Sequence, residues 1–598
     1  MLYCSTTTSI PALVVRTSRS LLFCACLAVP GSSAAATYWV SPTGTAAWAE
    51  CSGETPLSGS AGCSLVTANA NVSPGNTVYL RGGTYDTHIF PARSGSSVNG
   101  RIAYRGYSDE TVVIRNTTTP DSTYYHGILL SGRNYIWIDR VKVDNPSGAV
   151  PLGKDRPLMI TYGSSYNELS NCEIDGNGSG AIQMWNSEGP IPASHNWIHH
   201  CYIHDTGTLV WEEDLGYVND EGGMQVGVPT YDNVSGHNTF EFNEFACGGH
   251  HTLETFTKYN VIRDNFFHHE GCMVNATGHP PRTGPDANGL WGNRNISVYD
   301  QFGDGGTFNL IEGNRFGPSG PPPDDDGGDG LMIAAPKNII RYNEIYGAQN
   351  NGVLFRQGGP PPEGNSDYNH FYSNTIFGSG RFQNTGALFE GANFRWYGWY
   401  ARVGNVIINN ILRSYGTGGA DWFGGSETVY TDNRVANNFC TDAASGRCSA
   451  HGDPKFVRTT VAVFPPTRSE PDLRLQAGSP AVDAGTHLTT AVRSGTTSTV
   501  LVVADALFFQ DGTWGSALAG HQGDRIAIGN VGNVATIAGI DYSSNTITLA
   551  QPTNFSSGDR IWLYQRSNGV RVLYGLGPDI GAHELGGPAP PGAVRIVR

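Results

Sequence analysis

Asn238-Thr-Phe240-Glu-Phe-Asn243-Glu-Phe245, Asn260-Val-Ile262-Arg-Asp-Asn265-Phe-Phe267 and Asn309-Leu-Ile311-Glu-Gly-Asn314-Arg-Phe316 are copies of one pattern. Asn and apolar residues recur in it at fixed offsets. The pattern returns at Asn338/Asn343, Asn369/Asn374, Asn405/Asn410 and Asn433/Asn438. Upstream the first position reads Asn134, Asn167 and Asn196, while the second drifts to Asp139, Cys172 and Cys201. Successive starts lie roughly 22 to 49 residues apart, the spacing of a solenoid. Each unit holds short runs of Ile, Val and Phe broken by Gly and Asn, too short for helices and rich in strand formers. Asn tolerates a left-handed corner, and stacked Asn side chains can bond along a column. A constant coil with loops of variable length is therefore expected: an all-β, right-handed parallel β-helix of about ten coils. The steadier period and blade motifs of a propeller are missing.

The 598 residues include 78 Gly and carry a formal charge of −15. That balance speaks against nucleic acid as a partner. Arg16 and Arg19 precede an apolar run from Leu21 to Val29 and small residues through Ala36, the signature of an export signal over residues 1–36. The run is too short to span a bilayer. A secreted or cell-surface, monomeric chain is expected. Export permits disulfides, and Cys51–Cys63, Cys440–Cys448 and Cys247–Cys272 are the local candidates. Cys172 and Cys201 share one ladder position in consecutive repeats, about 4.8 Å apart. They form a disulfide or two stacked buried thiols, and the bond is the expectation.

Residues 37–133 read as an opening cap and first coils, with a short helix over Leu65–Val72 closing the core. Residues 134–460 form the helix proper. Residues 461–585 follow, with a β-barrel or sandwich inserted at about 496–574, signalled by alternating runs such as Val500-Leu-Val-Val and Asp559-Arg-Ile-Trp-Leu. The Pro-rich tail 586–598 reads as disordered.

A second column aligns between the ladders: Ala181-Ile-Gln183-Met, Gly223-Met-Gln225-Val, Thr252-Leu-Glu254-Thr, Asn295-Ile-Ser297-Val, Gly330-Leu-Met332-Ile, Gly352-Val-Leu354-Phe and Ala387-Leu-Phe389-Glu. Strand alternation sends the apolar neighbours inward and Gln183, Gln225 and Glu254 outward. Two residues on, the same face carries Trp185, Phe256, Tyr299 and Arg356. Amides, a carboxylate and aromatic rings on a sheet face suit sugar hydroxyls and sugar faces. Long inter-ladder excursions with Glu213, Asp220 and Glu221 on one side, and His269, Asn275 and Arg282 on the other, would wall a groove around His250, His251, Glu254 and Lys258. Asp324, Asp325, Asp326 and Asp329 form an oxygen-rich turn that could bind Ca²⁺.

The opening Asn76-Thr-Val-Tyr-Leu-Arg-Gly-Gly-Thr-Tyr-Asp86, the Asn ladder and the ending segments Gln476–Gly485 and Pro578–Glu584 together resemble secreted bacterial right-handed β-helix proteins, among them the alginate and chondroitin lyase group. The resemblance implies a polysaccharide substrate and β-elimination at a uronate. On that pattern Lys258 is the candidate base, with Arg282 or Arg356 neutralising the carboxylate. Two further readings stand beside it. Glu254 paired with an acidic loop residue would hydrolyse glycosides, and a groove without turnover would make a carbohydrate-binding surface protein.

Overall fold

The computed structural model describes residues 35–117, 125–144, 155–176, 180–184, 193–206, 210–212, 216–218, 224–226, 236–246, 248, 251–268, 294–299, 305–318, 329–348, 351–356, 366–379, 392–397, 403–413, 420–423, 433–441, 448–459 and 470–588. Within them the chain winds as a parallel β-helix. Two 13-stranded sheets, A and B, run the length of the coil, and a 10-stranded sheet C joins them from Tyr125–Ser131 onward. One coil shows the order. Thr239–Glu241 lies in A, Glu244–Ala246 in B and His251–Thr255 in C, and Val261–Arg263 then pairs in parallel beside Thr239–Glu241. The count exceeds ten because the first coils, such as Thr37–Val40 and Thr77–Leu80, pair in register without ladder Asn residues.

The Asn residues act as ladders. Each Oδ1 accepts a backbone N–H from the coil before: Asn238 N donates to Asn260 (3.0 Å), Asn260 N to Asn309 (2.9 Å) and Asn309 N to Asn338 (2.8 Å). A second column runs Asn243, Asn265, Asn314, Asn343 and Asn374 in the same way. Corner amides buried away from water thus find partners.

Register corrects two expectations here. Glu168 pairs with Trp137 and Ser170 with Asp139, so Ile136, not Asn134, holds the ladder position of that coil. Asp139 is an outward strand residue, not a ladder residue. The left-handed residue is also not the ladder Asn but the one before it: Tyr166, His195, His237, Tyr259, Phe308, Lys337 and Tyr368 all have positive φ. Asn is committed to its hydrogen bond, so its neighbour takes the strained corner. Stacking offsets that strain. The rings of Tyr166, His195, His237, Tyr259 and Phe308 follow one another at 4.8, 4.9, 4.9 and 5.4 Å.

Apolar residues of the sheet A and B strands fill the interior, as in the sheet B stack Phe245, Phe267 and Phe316, with centroids 4.6 and 5.2 Å apart. The helix Leu65–Asn71, capped by Ser64 accepting from Thr67 N, sets Leu65 and Ala68 into the same core. Cys51 and Cys63 are joined, as are Cys440 and Cys448. Cys247 and Cys272 lie outside the described residues. Cys172 and Cys201 are free buried thiols, contrary to the expected bond. Equivalent side chains on stacked coils point the same way instead of toward each other. Each Sγ meets a carbonyl instead, Ser170 O at 3.1 Å and His199 O at 3.2 Å.

Beyond the coils, six antiparallel strands from Thr489–Thr490 to Arg560–Gln565 form one sheet. A bridge between Ala491 and Val503 joins its two edges, closing it into a barrel. The barrel covers the outer face of sheet A. Trp514 packs against Tyr259 and Phe308, while Val261, Leu310 and Ile339 share its apolar cluster. Gln476–Gly485 and Pro578–Glu584 pair with each other, Gly485 N to Pro578 O at 2.7 Å and Ile580 N to Ala481 O at 2.9 Å. Ala481 and Ile580 then pack on Phe377 and Ile411 of sheet B.

Candidate functional site

Sheet C carries the site. Its register aligns Gln183 with Gln225, Gln225 with Glu254, Glu254 with Ser297, Ser297 with Met332 and Met332 with Leu354. The next residue in the row is Arg395, on strand Ala392–Tyr397, in place of the expected Phe389. Phe394 and Trp396, which flank Arg395, point into the core, as Leu253 does beside Glu254. That apolar–Arg–apolar triplet was the signal in the sequence that identifies the true strand.

The row is not one open groove. Gln183, Ser297, Met332, Leu354 and Arg395 are buried, and Met332, Ala334 and Leu354 form a small apolar cluster with Tyr299 against it. Gln225, Glu254, Tyr299 and Arg356 are half-exposed. Access to the face therefore centres on the coils of Gln225, Glu254 and Tyr299.

At that place the side chains converge. His251 Nε2 lies 3.6 Å from Glu254 Oε1, and His251 Nδ1 is 2.7 Å from Ser297 Oγ. The Tyr299 ring meets the His251 ring edge-on at 5.7 Å and stacks on Phe256 at 5.5 Å. Parallel pairing of Glu254 with Ser297 and of the strands around them puts these five residues on two adjacent rungs. A histidine held between a carboxylate and a hydroxyl has a fixed ring orientation and can pass a proton. Phe256, only 3% exposed, backs the half-buried Tyr299 ring, which is the aromatic group left open to a sugar ring there.

Lys258 is not part of this cluster. It closes the coil at the corner from C to A, where its carbonyl accepts from Gly236 N (3.0 Å) and His237 N (3.1 Å). Lys258 lies past the end of the strand His251–Thr255 that carries Glu254, beyond the bend at Thr257. Among the described residues no ion pair joins Lys258 to a carboxylate. His268 sits on sheet B with Nε2 3.0 Å from Glu244 Oε1. Trp185, Glu213, Asp220, Glu221, His250, His269, Asn275 and Arg282 lie outside the described residues. Ser297 was the participant that sequence reasoning missed; its alignment was visible, but nothing in one chain announced its contact with His251.

Of the expected Ca²⁺ turn, Asp324, Asp325 and Asp326 also lie outside the described residues. Asp329 begins a strand, is buried, and its Oδ1 accepts from both Asn351 N (3.1 Å) and Nδ2 (2.8 Å). Its geometry is that of a coil tie. Elsewhere Asp175, His204 and Asp205 bring three potential ligand atoms within 4.8 Å of one another. His204 Nδ1 already meets Asp205 Oδ2 at 2.8 Å, and its Nε2 faces Glu173 at 3.4 Å. Burial alone would lower the His204 pKa, but Asp205 and Glu173 outweigh it and raise it to about 9. The cluster holds itself together as a protonated histidine among carboxylates.

No helix among the described residues is long and apolar enough to cross a membrane. No curated protein is significantly similar to the chain. Among solved structures, the chain is similar to pectate lyase Pel9A at 15% identity and a TM-score of 0.43, covering 78% of this chain and 95% of that one. A GH136 lacto-N-biosidase from Eubacterium ramulus matches at 14% and 0.44, covering 70% of this chain and 67% of that one. A PL6 family polysaccharide lyase from Pseudopedobacter saltans matches at 13% and 0.41, covering 69% and 97%. Residues 126–275 match the family model described as the right handed beta helix region, and the chain is a right-handed parallel β-helix protein.

Proposed function

We propose that the protein is an exported polysaccharide-acting enzyme whose active site is the sheet C cluster, and that it cleaves a uronate-containing glycan by β-elimination. The observation that carries this reading is the His251 ring, oriented by Glu254 and Ser297, beside the half-buried Tyr299 ring. Elimination needs a base at the carbon next to the carboxylate and an acid at the leaving oxygen. His251 is placed to take the proton, with Glu254 stabilising the imidazolium that results. In this reading the Tyr299 hydroxyl, on the adjacent rung, protonates the leaving oxygen. This assignment replaces Lys258 as base.

Glycoside hydrolysis is the second reading, favoured by Glu254 itself, a half-exposed carboxylate that could act as acid. The two are separated by products. Uronate-containing and neutral polysaccharides are incubated with the full chain and followed both at about 232 nm and for reducing ends. Unsaturated ends from a uronate polymer support elimination. Reducing ends without that absorbance support hydrolysis, and binding without either product makes the face a recognition surface.

A further inference from the structure

A cavity of about 290 Å³ lies away from sheet C, between the corner joining sheets A and B and residues 566–588. Asp264 and Gly313, successive left-handed corner residues, form part of its wall together with Arg566, Asn568, His583 and Glu584. At this corner neighbouring coils carry Phe242, Asp264 and Tyr342. Gly313 interrupts that column, and a Cβ there would stand 2.2 Å from Arg566 Nη1. The glycine is what lets the guanidinium in.

Arg566 is only 7% exposed. Its Nη2 donates to Asp264 Oδ1 at 3.2 Å, but Nε and Nη1 are buried with no acceptor. Buried donors on a charged group are costly to leave unpaired, and folded proteins rarely do so without an external partner. Asp264 and, through space, Glu312 supply its countercharge, and neither reaches Nε or Nη1. Asp264 is shared with Asn568 Nδ2 at 2.8 Å, and burial pushes its carboxyl pKa up. Burial first and then Asp579 raise the Glu584 carboxyl to about 8, while its Oε1 accepts from Asp579 N at 2.8 Å.

We propose that this cavity binds a single carboxylate-bearing sugar residue, with the carboxylate on the unpaired Nε and Nη1 of Arg566 and the ring among Asn568, Val570, His583 and Glu584. Its volume is at the small end of ligand sites, about 300 Å³ upward, which fits one ring and not a chain. The site is independent of the sheet C reading and needs no catalysis there.

Titration calorimetry on the full chain, with galacturonate, glucose, acetate and inorganic phosphate as separate titrants, tests it. Galacturonate should bind at about 1 mM or tighter, with the other three at least tenfold weaker. Arg566→Gln should weaken galacturonate at least tenfold. Val570→Phe, which fills the cavity and removes no polar group, should abolish binding with a retained melting transition. Glu254→Gln should leave it unchanged. No binding by the unaltered chain, equal binding of glucose or phosphate, or loss in Glu254→Gln with retention in Arg566→Gln and Val570→Phe would overturn the proposal.

Discussion

The outer faces of sheets A and C are built on the same rungs and have been put to different uses. On sheet A the outward row reads Glu241, Arg263, Glu312, Arg341 and Tyr372, and every member is buried. Arg263 bridges Glu241 (2.9 Å) and Glu312 (3.2 Å), and Arg341 bridges Glu312 (2.7 Å) and Asp524 of the barrel (2.8 Å). On sheet C the outward row is polar through Gln183, Gln225, Glu254 and Ser297, then apolar at Met332 and Leu354. A row of alternating charge is satisfied only when something dry and complementary covers it. A row of mixed amides and a carboxylate, only partly buried at Gln225 and Glu254, needs no such cover. Outward position in a β-helix therefore does not by itself mean a groove.

This contrast can be broken most forcefully at Arg341. Replacing it by Met leaves Asp524 buried without its cation and Glu312 with Arg263 as its remaining ion-pair partner, and should cost about 3–5 kcal/mol. Calorimetric unfolding should show the barrel's transition lowered or separated from that of the coils. A change in melting temperature no larger than for a surface variant would mean that the barrel is not held by this ladder.

Acid should loosen the same face. Burial alone would raise Glu241 and Glu312, but His521 and Arg263 hold Glu241, and Arg341 with Arg566 and Arg263 hold Glu312, both at about 2. Carboxyls depressed on folding contribute stability that is complete above their ordinary value of about 4.5, and it is lost as pH falls toward 2. Asp524, raised by burial against the pull of Arg341, works in the opposite sense. The melting temperature should therefore fall between pH 4.5 and 2, and fall less steeply in Glu312→Gln. A parallel slope in the two proteins would remove Glu312 from the interface.

A smaller effect is expected on sheet C beyond Ser297. Met332 is fully buried in its outer cluster, so Met332→Ala should cost about 2 kcal/mol, as core truncations do. Urea unfolding reads this directly. A neutral result would mean that the apolar half of the row is open surface, and would extend the groove along it. Lys258→Ala should be the mildest change, within about 0.5 kcal/mol and with little effect on turnover, since its side chain holds no ion pair among the described residues. A large loss of activity there would restore it to the site.

How far the sequence reached follows from which physical signals are local. The paired Asn columns are local, and Asn238 through Asn374 stand where the repeat puts them. The strand alternation that separates Glu254 from Leu253 is local too. Asn134 and Asp139 were misplaced because register is fixed by the neighbouring coil, not by spacing within one coil. The strain at Tyr259 was assigned to Asn260 because tolerance of left-handed backbone was weighed without the competing demand of the ladder bond. The docking of the barrel left a trace that can be read afterwards: Val261, Leu310 and Ile339 are apolar at an outward position, and Arg263, Glu312 and Arg341 alternate in sign beside them. The His251–Ser297 contact, made across 46 residues, left none.

The central claim is that the sheet C face works where the sheet A face only holds. It is tested most directly by measuring turnover and melting temperature together for His251→Ala and Glu254→Gln on a polysaccharide that the unaltered chain cleaves. His251→Ala should lower turnover about 10²–10⁴-fold, the usual worth of a general base, and Glu254→Gln at least tenfold. Both should melt within a few degrees of the unaltered chain. Full turnover in His251→Ala, or a loss of activity matched by a collapse in melting temperature, would contradict the account.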